Sequence, residues 1–206
     1  MITVYTLPLG DYQTNCYIVC ATESKTCAVI DPGYFPEHIL SFLADKGLGL
    51  DAILLTHGHF DHVGAVKALV EATGCRLWMK ESDYTQRSNP QNDFLYPIHD
   101  CDFCEVSFCE EGEKIRAGGA VFTVMETPGH TWGSVCYLCE DAIFSGDTLF
   151  AGSCGRTDLP GGDYGTIVLS LERLAKLQGD YTVYPGHGSA TTLAQERMYN
   201  PYMRTI

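Results

Sequence analysis

Three histidines and an aspartate fall within six positions of this 206-residue chain, in Thr56-His57-Gly58-His59-Phe60-Asp61-His62-Val63. Imidazole nitrogens and carboxylate oxygens at that density are the donors that Zn²⁺, Fe or Mn accept. Three further donors each follow a short apolar run and a glycine-containing turn. They are His130 after Thr127-Pro128-Gly129, Asp147 after Ser145-Gly146, and His187 after Pro185-Gly186. The candidate metal ligands are therefore His57, His59, Asp61, His62, His130, Asp147 and His187. One tetrahedral ion takes three or four donors, so this set predicts two divalent ions, zinc first, with iron or manganese admissible. An aspartate can bridge two cations through its two oxygens. Two ions about 3.5–4 Å apart then share a water whose pKa falls towards 7. Five of the seven histidines lie in these motifs; the other two, His38 and His99, read as surface or satisfied side chains.

The elements that must position these donors are visible in the apolar pattern. Ala52–Leu55 reads as a buried strand ending where the His-rich turn begins, and Val63–Thr73 reads as a helix with Val66, Leu69 and Val70 on one face. The polar cluster thus sits at the carboxyl end of a strand, where α/β folds tend to bind ligands. Before it, Asn15–Ala21 and Thr26–Ile30 read as strands closing on Asp31-Pro32-Gly33, and Pro36–Lys46 as a helix that stops at Gly47. After it come strands over Arg76–Met79, Lys114–Arg116, Val121–Glu126, Ser134–Cys139, Ala142–Phe144 and Thr182–Tyr184. Thr166–Leu177 and Ala190–Met198 are helical in spacing. Glu81–Glu110 has a helical start and then no clean period, and reads as a long excursion lying over the site. Two β-rich halves with flanking helices fit one α/β domain over 1–206, a four-layer sandwich of two sheets between helices. A doubly wound single sheet is the structural alternative.

Composition narrows the function. Thirteen Lys and Arg against 26 Asp and Glu give a net charge of −13, without the clustered cations that a nucleic acid needs. Met1-Ile2-Thr3-Val4-Tyr5 lacks the basic start of a signal peptide, and no apolar run approaches the roughly 18–20 residues of a membrane span. The expectation is a cytoplasmic protein acting on a small molecule, with no membrane partner and an oligomeric state that the sequence leaves open. Ten cysteines in a reducing compartment do not predict a disulfide framework. Cys136 and Cys139 sit three apart on a strand and so face opposite ways. Cys101, Cys104 and Cys109 fall in the irregular acidic segment, where an accessory metal or redox site is conceivable beside the simpler reading as free thiols. No Gly-x-Ser-x-Gly elbow or Walker-type loop occurs, and the glycine pairs at 118–119 and 161–162 lack a dinucleotide-binding context.

Thr-His-Gly-His-Phe-Asp-His, followed in order by Pro-Gly-His130, Ser-Gly-Asp147 and Pro-Gly-His187, resembles the metallo-β-lactamase-fold superfamily. Within it the chain looks most like the short glyoxalase-II-like (hydroxyacylglutathione hydrolase-like) enzymes, from Tyr5 to about Pro201. The resemblance implies an αββα sandwich with the site at the sheet edge. It implies that His57, His59 and His130 hold one metal and Asp61, His62 and His187 the other, with Asp147 bridging. Asp31 matches a position that supports the His loop. The function implied is a dinuclear thioester hydrolase that cleaves an S-2-hydroxyacyl thiol with a metal-bridging hydroxide, oriented by Asp61 and Asp147 as catalytic residues. Antibiotic hydrolysis is set aside. Only about 19 residues follow His187, where full-length glyoxalase II carries a helical segment that helps bind glutathione. Gly152-Ser153-Cys154-Gly155-Arg156-Thr157-Asp158 also resembles the persulfide dioxygenases, which use one iron, and that is the alternative function. Arg156 and Tyr84 are weaker candidates for substrate contact.

Overall fold

The protein is described by a computed structural model covering residues 1–86 and 105–204. The first half forms a six-stranded sheet from β1 (Ile2–Leu9), β2 (Thr14–Ala21), β3 (Thr26–Ile30), β4 (Gly49–Leu54), β5 (Arg76–Met79) and β6 (Val106–Phe108), in that spatial order. The first three strands are antiparallel neighbours, whereas β3 to β6 run parallel. Helices α1 (Pro36–Lys46), α2 (Phe60–Val63), α3 (Val66–Thr73) and α4 (Glu81–Gln86) belong to this half. The second half forms another six-stranded sheet. It comprises β7 (Lys114–Ala117), β8 (Ala120–Glu126), β9 (Val135–Cys139), β10 (Ala142–Gly146), β13 (Thr182–Pro185) and β14 (Thr191–Thr192), with α5 (Tyr164–Ala175) and α6 (Leu193–Tyr199). A two-stranded ribbon, β11 (Leu149–Phe150) with β12 (Ser153–Cys154), stands apart from both sheets.

Strand periodicity of two explains why the halves stack. Along β2, Tyr17 and Val19 join Ile30, Leu54, Phe122, Tyr137 and Phe144 in the layer between the sheets. The alternate residues Cys16, Ile18 and Cys20 face Ile39 and Leu43 of α1 and Leu69 of α3. On the far side, Ile143 and Val183 pack against Leu171 and Leu174 of α5 and Leu193 of α6. Strands covered on both faces have to be largely apolar, and the buried stretches of β2, β3 and β10 are. The four-layer arrangement predicted from the sequence is present, and the single doubly wound sheet is not. Cys136 and Cys139 lie on opposite faces of β9, one against α5 and one between the sheets.

The sequence reading of one helix over Val63–Thr73 is corrected to two pieces, α2 and α3, separated at Gly64-Ala65. The cause is a close approach of the turn after β3. The Ala65 amide donates to the Pro32 carbonyl at 2.9 Å, and a β-carbon on Gly64 would lie 2.3 Å from the Gly33 carbonyl oxygen. Cys101, Cys104, His99 and most of the predicted excursion lie outside the described residues. Cys109 is fully buried, with its sulfur 3.9 Å from the Tyr137 hydroxyl. His38 is exposed beside the Phe35 ring, in keeping with a surface histidine.

Topology brings the candidate donors to one edge. β3 and β4 are parallel, so their carboxyl ends emerge together. β8 and β10 both flank β9 antiparallel, and β13 is parallel to β10, so these three also end on a common side. The two edges are joined where the Val135 amide donates to the Thr56 carbonyl at 2.8 Å and the Tyr137 hydroxyl to the Leu55 carbonyl at 2.9 Å.

Candidate metal centre

At that edge the seven predicted donors converge. His57, His59, Asp61, His62 and His130 are all buried, the Asp147 side chain is nearly so, and His187 is half-buried. Potential ligand atoms of His57, His59 and His130 lie within 4.8 Å of one another, and so do those of Asp61, His62 and His187. Asp147 stands between the two sets. Its Oδ2 is 3.5 Å from Nε2 of both His130 and His187, and its Oδ1 is 3.5 Å from His62 Nε2.

The ring orientations are set from outside the cluster. His62 Nδ1 donates to Asp31 Oδ2 at 3.0 Å, His130 Nδ1 to the Arg156 carbonyl at 2.8 Å, and His187 Nδ1 to the Tyr12 carbonyl at 3.1 Å. His57 Nδ1 donates to Thr56 Oγ1 at 3.1 Å, and that hydroxyl donates in turn to Asp31 Oδ2 at 2.6 Å. Each of these four rings therefore turns Nε2 inward, and in its neutral form carries the lone pair there, the tautomer that a metal ligand requires. His59 turns Nδ1 instead towards His130 Nε2, 3.0 Å away.

Asp31 has the role that the sequence resemblance implied. It adopts a left-handed backbone (φ 51°), tolerable for aspartate, and so aims its carboxylate at the start of the His-rich turn. Oδ1 accepts from the Thr56 amide at 2.8 Å and Oδ2 from Thr56 Oγ1 and His62 Nδ1. Although Asp31, His57 and His62 are close enough to hold an ion together, both Asp31 oxygens are engaged with these donors, and the residue orients the ligands.

The fit to metal ions rests on the polar atoms themselves. Nε2 of His57, Nε2 of His62 and Oδ1 of Asp147 are buried with no hydrogen-bond partner among the described residues. Buried polar atoms are otherwise satisfied nearly always, and imidazole with carboxylate is a donor set that suits divalent cations. Charge states divide the set: His57 and His59 are shifted towards the neutral form, whereas His62 and His187 are shifted towards the protonated one by the carboxylates around them, so a cation binding there would displace the Nε2 proton. Burial, reinforced by the neighbouring imidazoles, pulls His57 well below the ordinary imidazole range and His59 down to about 3, so both are neutral donors. For His62 burial acts downward, but Asp147, Asp31 and Asp61 outweigh it and raise it to about 9. His187 is likewise raised, because the Asp61 hydrogen bond and Asp147 overcome its burial. Burial pushes the Asp61 carboxyl up, yet His187, His62 and the Thr14 hydroxyl hold it well below the usual carboxylate range.

The cluster opens into a cavity of about 400 Å³ whose lining includes the apolar Tyr12, Phe60, Phe150 and Leu159 and, besides the donors, Ser153, Cys154 and Arg156. The Arg156 guanidinium is already paired with Asp158 through two 2.7 Å contacts. Tyr84 packs its ring against Phe108, 5.2 Å away, and does not line the cavity.

Sequence reasoning missed three supporting residues. Thr14 donates to Asp61 Oδ2 at 3.0 Å. Asn15 donates from Nδ2 to the Pro185 and Gly188 carbonyls, both at 2.9 Å, holding the His187 turn. Asp83 accepts from the Gly58 amide, the Thr131 hydroxyl and the Gly133 amide. Two polar residues heading the otherwise apolar strand β2 are the available signal for the first two.

The comparisons agree with this geometry. Residues 9–187 match the Metallo-beta-lactamase superfamily. The hydroxyacylglutathione hydrolase GloC of Haemophilus influenzae is 36% identical over 206 residues, covering 97% of each chain. Among solved structures, BLEG-1 B3 metallo-beta-lactamase superposes with a TM-score of 0.85 at 33% identity, over 98% of this chain and 99% of that one. TTHA1623, solved in a di-iron-bound form, gives 0.82 at 39% identity, over 97% of this chain and all of that one. With the two-sheet sandwich and the His/Asp cluster at its edge, these likenesses settle the family: the chain is a member of the metallo-β-lactamase superfamily, with the fold of that family and a site built for divalent metal.

Proposed function

We propose that this protein is a dinuclear metal-dependent hydrolase that cleaves a thioester, of the hydroxyacylglutathione hydrolase type. In this reading His57, His59 and His130 would hold one ion and Asp61, His62 and His187 the other, with Asp147 within reach of both sets; zinc, iron and manganese all suit the donors. The observation that carries it is the pair of three-donor sets with one carboxylate between them. The likeness to GloC supports the thioester, and the di-iron form of TTHA1623 supports two ions. Two bound ions supply a water of lowered pKa and Lewis-acid stabilisation of the carbonyl oxygen.

The chain's own residues supply the remainder. Asp61 and Asp147 are the catalytic residues: Asp147 lies between the two sets and Asp61 beside His62 and His187, and both carboxylates would orient the attacking water. Thr14 donates to Asp61 Oδ2 and so fixes that carboxylate. The leaving thiolate, with a pKa near ~8.5 for a cysteine-type thiol, departs without a dedicated acid. The apolar wall of Tyr12, Phe60, Phe150 and Leu159 receives the acyl or thiol substituent and keeps bulk water from that side.

The Gly152–Asp158 stretch favours a second reading, a mononuclear iron persulfide dioxygenase, which would need His57, His130 and Asp147 but not a second ion. His187→Ala separates the two. Assayed with S-lactoylglutathione, the variant is expected to lose turnover about 100-fold or more, as expected when a group that places a reacting centre is lost. Retained oxygen uptake with glutathione persulfide by the same variant, and no thioester turnover by the parent, would favour the dioxygenase. A β-lactam assayed alongside tests the activity named for BLEG-1.

A further inference from the structure

We propose that Asp83 is a positioning residue for one of the two metal positions: it ties the turn carrying His57 and His59 to the turn carrying His130 and thereby sets the position these three share. Asp83 lies on α4, 2 % exposed, and lines no part of the cavity. Its Oδ2 accepts from the Gly58 amide at 2.9 Å and the Thr131 hydroxyl at 2.8 Å, and its Oδ1 from the Gly133 amide at 2.7 Å. Gly58 is the residue between His57 and His59, and Thr131 and Gly133 closely follow His130. One carboxylate thus holds two loops that come from different sheets and supply the three donors of a single set. The fit is close: a β-carbon on Gly133 would lie 2.7 Å from the Asp83 carboxylate carbon. Thr131 is further fixed by Ser134, whose Oγ accepts from the Thr131 amide at 3.1 Å.

The arrangement parallels Asp31, which binds Thr56 and His62 and so orients a donor of the other set. Asp31 reaches a donor of each set, His62 directly and His57 through the Thr56 hydroxyl, whereas both loops that Asp83 holds belong to one set. Groups of this kind orient ligands, and their removal typically weakens metal binding about 10–100-fold.

This inference rests on the two-metal reading of the site but not on the thioester, so its test reads metal and not turnover. Metal-free parent and Asp83→Asn protein are titrated with cobalt(II) against a competing chelator, following the visible spectrum of the bound ion. The parent is expected to take up two equivalents. Asp83→Asn should weaken one of them about 10–100-fold and leave the other within about threefold. In a His130→Ala background, which already disrupts that position, Asp83→Asn should change the remaining binding less than about twofold, the signature of two residues acting on one site. Thr131→Val, which removes a single donor, should weaken the same equivalent by a smaller factor. Equal weakening of both equivalents would show a general structural role and overturn the proposal, as would unchanged binding. A parent that takes up one equivalent would remove the two-position basis and the proposal with it.

Discussion

Asp147→Asn is expected to lower kcat/KM for thioester hydrolysis about 1,000-fold or more while the protein still folds. The reason is its position. Among the seven donors it alone stands between the two sets, with contacts of 3.5 Å to the Nε2 atoms of His62, His130 and His187. Asparagine keeps the shape but removes the charge and turns one acceptor into a donor, pointed at imidazole nitrogens or at a cation. Metal stabilisation of developing charge amounts to several kcal/mol. Losing ~4 kcal/mol of it corresponds to about three decades in rate. Steady-state kinetics on the purified variant checks this, with circular dichroism to show that the sheets persist. A loss under tenfold would remove Asp147 from the catalytic role assigned to it.

A second large effect is expected at a residue with no side chain. Gly186→Ala places a β-carbon 2.1 Å from Asp147 Oδ1 and 2.8 Å from His62 Cε1. The backbone cannot retreat, because the Gly186 amide donates to the Gly146 carbonyl at 2.8 Å and its carbonyl accepts from the Asn15 amide at 2.7 Å. The Asp147 carboxylate and the His62 ring must move instead. Misplacing reacting groups by about 1 Å can cost ~100-fold, and overpacking of this kind destabilises a fold by about 1–3 kcal/mol. The variant should therefore lose about 100-fold or more in turnover and bind less metal at saturation, with a modest fall in melting temperature. Metal analysis and kinetics on one preparation would show it. Unchanged metal content with full activity would mean that the turn after β13 can yield without disturbing the donors.

Much of the site is legible in the amino-acid sequence because its donors follow a local pattern. A glycine turn after an apolar run places one functional residue at a strand end. That pattern occurs at His130, Asp147 and His187, and in each the turn leaves a strand whose carboxyl end reaches the common edge. The number of sheets is not legible in the same way. Alternation in β2 is the same whether its two faces meet helices on both sides or a helix layer and a second sheet. The break between α2 and α3 is hidden for a related reason. Gly64 and Ala65 are compatible with a helix, and only the approach of the Pro32–Gly33 turn interrupts it. Asp83 is unreadable because its partners are 25 to 50 residues away and two of the three are backbone amides, which leave no trace in side-chain pattern. Among the described residues no helix is long and apolar enough to cross a membrane.

The measurement that bears most directly on the two-ion site is the metal content of protein purified without added metal, expressed as equivalents per chain beside its thioester activity. Two three-donor sets sharing Asp147 predict close to two equivalents of divalent metal, with activity lost on chelation and restored as both are replaced. Full activity at one equivalent, or activity unaffected by complete removal of metal, would contradict it.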